Sequence, residues 1–288
     1  MNLQLLQAAI NGMKQALEAA ITTATFGERI CANGLQAKEA LIRSQKLILP
    51  IHEVVKQSLA QELQTRQRQF EIYPVIGTTS PELKVSGFIK AKKQDVVVLF
   101  DGDVPQPEAI QNGPLAGETD DVGQHQTERA IVIGVRSQMS SVSNNFDTLM
   151  ERAFAETLNL RLRLPALTMG EVYVLPVVEY DDEPMQNNHI IWKRRPVNVS
   201  KFIRTFLAIT HRAPGDLQHE LYKYERSALV LVDFRPAQPR IYLTLDELRE
   251  DELVPENFQG NFAMLSPDGF ARDLLDLHTA RYPIPNRH

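Results

Sequence analysis

Apolar residues recur at helical spacing from the start of the chain, where Leu5, Leu6, Ala9, Ile10, Met13, Ala16 and Leu17 form one stripe and predict a helix over residues 3 to 20. Gly27 and the pair Asn33-Gly34 then break the pattern. A second helical stretch runs from Leu35 to Gln67 with Pro50 inside it as a kink or break. Its second half sets Ile51, Val54, Val55, Leu59 and Leu63 on one side, with Glu53 near the edge of that stripe. From Phe70 the period changes to that of strands. Phe70 to Ile76 and Leu83 to Phe100 read as two or three strands, separated by Gly77 to Pro81 and by the basic turn Lys90 to Lys93. Asp95 stands at the mouth of an apolar strand with Val97 and Leu99 on its face. Residues 101 to 129, punctuated by Pro105, Pro107, Gly113, Gly117 and Gly123, read as a long loop.

The stretch from Ala130 to Glu156 organises the rest. Ala130 to Val135 is a short, β-branched apolar run and predicts a buried central strand, whose period of two puts Gly134, Arg136 and Gln138 on one face. After a polar run, Phe146, Leu149, Met150, Ala153, Phe154, Thr157 and Leu158 recur at helical spacing on a segment that also carries Asp147, Glu151 and Glu156. Gly170 to Val178 predicts another buried strand, and Tyr180 to Pro196 a polar connection containing Trp192. A short helix over 198–210 capped by Asn198 or Ser200, two late strands (SALVLVDF and RIYLTL) and a helix from Ser266 to Tyr282 complete the chain. These elements predict an α/β fold with a central mixed sheet flanked by helices, built as a single domain. Within it, 1–67 are N-terminal helices, 70–180 the core and 181–288 additions.

Composition narrows the functional classes. A hydrophobic content of 43% in 288 residues supports a sizeable core. The lone Cys31 excludes an intramolecular disulfide framework and a cysteine-based zinc cluster, and fits a cytoplasmic setting. The N-terminus lacks the basic region of a signal peptide, and no run reaches the length of a spanning helix, so no membrane role is expected. The net charge of −5 argues against a nonspecific nucleic-acid coat, but a DNA cleft depends on where Lys and Arg cluster. The seven histidines show no HxH or HExxH spacing, and neither GxGxxG, GxxxxGK[ST] nor GxSxG occurs.

The order of elements and the run VRSQMSSVSNNFDTLMERAFAE resemble the PD-(D/E)XK nucleases, with the flavour of bacterial type II restriction endonucleases, over residues 50 to 180. In that family an acid opens one strand, and an acid and a lysine lie two apart on the next. Asp95 stands where the first acid would be, and Gly134-Val135-Arg136 where acid-x-Lys would be. Glycine offers no side-chain ligand. Some enzymes of this fold supply the second acid from the following helix, at a spacing comparable to that of Glu151 from Arg136, with Asp147 and Glu156 as alternatives.

The resemblance implies a Mg²⁺-dependent endonuclease cutting double-stranded DNA at a defined sequence. The metal would be held by Asp95, Glu151 and the Val135 carbonyl, with Glu53 serving a second ion or positioning water. Arg136 cannot act as a base, because arginine keeps its proton, but it can hold a phosphate oxygen, and Gln138 can orient the attacking water. Lys90, Lys92, Lys93, Lys193, Arg194 and Arg195 are the expected phosphate contacts. Asp101 or Asp103 replaces Asp95 if the strand register differs; Asp120 and Asp121 read as solubilising charge. A homodimer on a palindrome and a cognate DNA methyltransferase complete the implied partners. The rival readings are a nuclease-like fold that binds DNA or protein without cutting, and a repair nuclease that reads DNA structure.

Overall fold

The computed structural model describes residues 1–100 and 105–283. Helix α1 (Leu3–Thr23) starts at Asn2, whose side chain accepts from the Gln4 and Leu5 N–H groups. A small hairpin, β1 (Thr25–Phe26) and β2 (Arg29–Ile30), leads into α2 (Gly34–Arg43) and α3 (Leu49–Thr65). The helical stretch expected over 35–67 is thus broken into two, as one of the two expectations for Pro50 had it. Pro50 lies in the first turn of α3, where its missing N–H costs nothing, and so starts a helix rather than kinking one.

Strand β3 (Phe70–Tyr73) is followed by the hairpin β4 (Lys84–Ser86) and β5 (Ala91–Lys93), then by β6 (Val96–Phe100). The stretch expected as a loop holds β7 (Glu108–Ala109), β8 (Thr119–Asp120) and α4 (Gln124–Glu128). Next come β9 (Ile131–Ser137), α5 (Phe146–Arg161) and β10 (Thr168–Pro176). The chain ends with α6 (Asp182–Met185), α7 (Val199–Ala208), β11 (Arg226–Asp233), β12 (Arg240–Tyr242), α8 (Leu245–Glu250) and α9 (Phe270–Arg281).

The six-stranded sheet has the order β12-β11-β10-β9-β6-β3. Strands β3, β6 and β9 pair antiparallel, whereas β9, β10 and β11 run parallel, with α5 as the crossover between β9 and β10. Helices on both faces explain why β6, β10 and β11 are buried at every position: both of their faces are covered. Val96, Val98, Ile131, Ile133, Val172 and Val230 pack toward α1, α3 and α9. Val97, Leu99, Val132, Tyr173 and Leu229 pack toward α5 and α7.

A buried carboxylate ties the two layers together. Glu225, just before β11, meets Arg161 of α5 at 2.5 Å and Arg281 of α9 at 2.9 Å, and its Oε2 accepts from Met169 N–H at 2.6 Å. Removing one member of such a pair strands a charge in the core, at a cost of about 3–5 kcal/mol. This fixes α5, and every side chain it carries, against the C-terminal half of the sheet. No helix among the described residues is long and apolar enough to cross a membrane.

Candidate active site

The functional geometry begins where β9 and β10 run side by side. Their register sets Gly134 directly beside Glu171, and in a strand residues two apart share a face, so Gly134, Arg136, Glu171 and Tyr173 lie on the α5 side of the sheet. A methyl group built on Gly134 would overlap Glu171 Oε2 and lie 3.2 Å from its Cδ. Glycine at 134 is thus the space that a carboxylate from the next strand occupies. Asp95 reaches the same region from the mouth of β6, where its Oδ2 accepts from the Val135 N–H at 2.8 Å.

The charges are arranged as an alternating chain. Lys92 of β5 meets Glu156 of α5 at 2.6 Å, Glu156 pairs with Arg136, and Arg136 Nε lies 3.1 Å from Glu171 Oε1. Glu171 is 1% exposed, and neither of its oxygens makes a hydrogen bond of good geometry among the described residues. Burial pushes its carboxyl up to about 7, against the pull of Arg136 and with added repulsion from Glu156 and Asp95. Glu171 in turn raises the Arg136 guanidinium, which stays charged throughout. Burial also works against the charged form of Glu156, but Arg136 and Lys92 outweigh it and hold that carboxyl below its usual range. His52 of α3 is lowered by burial, opposed by Asp95 and by the backbone of Val135, so it is neutral at pH 7.

Beside these groups lies a cavity of about 530 Å³, lined by His52, Asp95, Arg136, Gln138 and Glu156 with Tyr173 as an aromatic wall; Glu171 is buried outside the lining. The lining mixes acids with cations, Asp95 and Glu156 standing among Lys90, Lys92, Arg136 and Arg152. No group of three or more His, Cys, Asp or Glu side chains at ligating spacing occurs among the described residues. Magnesium does not need one, since it keeps several waters and binds through one or two carboxylates. A buried carboxylate without hydrogen bonds, within reach of the charge of further carboxylates, fits a hard dication. In an antiparallel ladder the N–H and C=O of one residue leave the strand on the same side, so the Val135 carbonyl faces the Asp95 side as well.

Of the residues expected from sequence, the structure brings together Asp95, Val135, Arg136, Gln138, Lys90 and Lys92. Glu151 is on the exposed side of α5, outside the cavity lining, and Asp147, also exposed, lies 3.6 Å from Lys201. The helical carboxylate inside the cavity is Glu156, and the one deepest in the sheet is Glu171. Glu53 points elsewhere: it meets Lys56 at 2.7 Å and accepts from Gly77 N–H, so that its neighbour His52 faces the cavity instead. Lys93 is exposed, Lys193 lies 3.3 Å from Glu179, and Arg194 and Arg195 are exposed away from the lining. Trp192 packs on Tyr180 with ring centroids 4.0 Å apart. Asp120 is buried and meets Arg163 at 2.6 Å, which makes it structural, while Asp121 is exposed. Asp101 and Asp103 lie outside the described residues.

Sequence reasoning missed Glu171 and His52. The signal for Glu171 was a single acid inside the otherwise apolar run Gly170 to Pro176, because an ionisable group in a doubly covered strand needs a reason to be there. No protein-family model, curated protein or solved structure matches this chain.

Proposed function

We propose that the chain is a Mg²⁺-dependent endonuclease that hydrolyses phosphodiester bonds in double-stranded DNA. The observation that carries this reading is the Glu171 carboxylate standing in the space left by Gly134, paired with Arg136 and near enough to Asp95 to feel its charge. The helix α3, the antiparallel strands β3, β6 and β9, the crossover α5 and the parallel strand β10 follow the order expected for PD-(D/E)XK nucleases. In this reading the second acid has moved one strand across the sheet.

Asp95 and Glu171 would hold the metal, with the Val135 carbonyl as a backbone donor. A bound Mg²⁺ supplies Lewis-acid stabilisation of the charge that gathers on the scissile phosphate. The chain's own groups do the rest. Arg136 donates to a non-bridging phosphate oxygen once the phosphate competes for it with Glu156. Gln138, on the cavity wall, orients water toward phosphorus, and Lys90 and Lys92 anchor the flanking phosphates. Tyr173 and the α5 side of the sheet keep bulk water from the buried carboxylate.

Sequence-specific cutting of the type II restriction kind, by a homodimer, is the form of this activity that the resemblance implies. Digestion of phage DNA by the purified protein with Mg²⁺, against an EDTA control, tests it: discrete fragments support that form. A smear points to structure-specific or nonspecific cutting. One observation favours a second reading, a DNA-binding module without cleavage: Arg136 is already engaged by both Glu156 and Glu171. A gel shift with intact DNA in Mg²⁺ is the result that this second reading predicts.

A further inference from the structure

The β4–β5 hairpin carries a feature that the cavity chemistry does not use. Its tip leaves Phe88 37% and Ile89 59% exposed, although Val85 and Ser86 just before them are buried. The tip is held firmly in place. Phe88 N–H donates to the Asn159 carbonyl at 2.6 Å, and Ile89 N–H and Lys90 N–H donate to Asn159 Oδ1 at 2.9 and 3.2 Å. Asn159 Nδ2 donates in return to the Lys90 carbonyl at 3.1 Å. Asn159 is a buried residue of α5, the helix that also presents Glu156, so the tip is fixed relative to the active-site groups.

Its position and charge point the same way. Ile89 and Lys90 line the cavity, while Phe88 lines a second hollow beside β7 and α4, where its ring lies against Gly113. The tip is therefore a ridge between two concavities. Residues 84 to 93 hold Lys84, Lys90, Lys92 and Lys93 and no acid, in a chain whose net charge is −5. A rigid apolar point flanked by cations complements a stack of bases bordered by phosphates, because apolar side chains can take the place of a neighbouring base.

We propose that Phe88 and Ile89 form a wedge that enters a base step beside the phosphate held in the cavity and unstacks it. This rests on the nuclease reading. It adds a source of selectivity, since pyrimidine–purine steps open at the least cost.

The test uses short duplexes carrying a single 2-aminopurine, walked through every position, with saturating protein in EDTA so that the strands stay whole. The expected result is a severalfold rise in fluorescence at one or two adjacent positions with the wild type. The rise disappears in the Phe88→Ser/Ile89→Ser double variant, read at protein concentrations where a gel shift shows the duplex bound and at a temperature where melting shows the variant folded. Flat fluorescence on a duplex that the wild type demonstrably binds, or an equal rise with the double variant, overturns the wedge and leaves the nuclease reading standing. Failure of the wild type to bind any duplex overturns both.

Discussion

Glu171 occupies a position that stability alone would not select, and replacing it with glutamine measures what its charge costs. The carboxyl is neutral in both folded and unfolded chains below its ordinary value of 4.5. As pH rises from there to about 7, the unfolded chain releases this proton while the folded chain keeps it, so the folded state loses stability across that window. The full loss corresponds to about 3 kcal/mol, taking 1.36 kcal/mol for each pH unit between the two values. Glu171→Gln keeps the shape and removes the ionisation. The variant should match the wild type in urea unfolding near pH 4 and exceed it by about 3 kcal/mol above pH 8. Other titrating groups are common to both proteins and cancel. Added Mg²⁺ should narrow the gap by stabilising the wild type alone. A variant less stable than the wild type by a constant amount at every pH would refute the reasoning, because Glu171 would then be an ordinary, favourable partner of Arg136.

Three further outcomes follow from the same geometry. Arg136→Ala should raise the barrier to DNA cleavage by about 2.7 to 4 kcal/mol in single-turnover kinetics, the usual loss for a donor to developing charge. Gly134→Ala drives a methyl into a fully buried carboxylate; it should lower unfolding stability by about 1–3 kcal/mol and cut activity, as read by thermal melting beside a plasmid assay. Glu151→Ala should leave cleavage unchanged while Glu156→Ala impairs it, since only the second of these helical carboxylates meets Arg136, and a side-by-side digest distinguishes them.

Much of the fold was legible because periodicity reports burial directly. The stripe Ile51, Val54, Val55, Leu59 and Leu63 is buried in α3, and the runs around Val98, Ile133, Val174 and Val230 are the central strands. The pairing of strands was not legible, and the site depended on it. Glu171 is thirty-five residues from Arg136 in the chain and next to it in space only because β10 lies parallel to β9 in the observed register. A search for the missing acid along the chain led to Glu151, which has a helical spacing that suits the nucleases the sequence resembles but faces solvent. The same blindness favoured Glu53 over His52: one residue turns a helix by a hundred degrees, and local pattern alone did not say which edge of α3 meets the sheet.

The central claim is that Asp95 and Glu171 together hold the dication that makes this site cut DNA. Supercoiled plasmid incubated with the purified wild type, Asp95→Asn and Glu171→Gln, each with Mg²⁺ and with EDTA, tests it most directly. The account predicts nicked or linear product from the wild type in Mg²⁺ alone and none from either variant, with both variants still folded and still shifting DNA. Cleavage by Glu171→Gln at the wild-type rate, or intact plasmid in every lane, would contradict it.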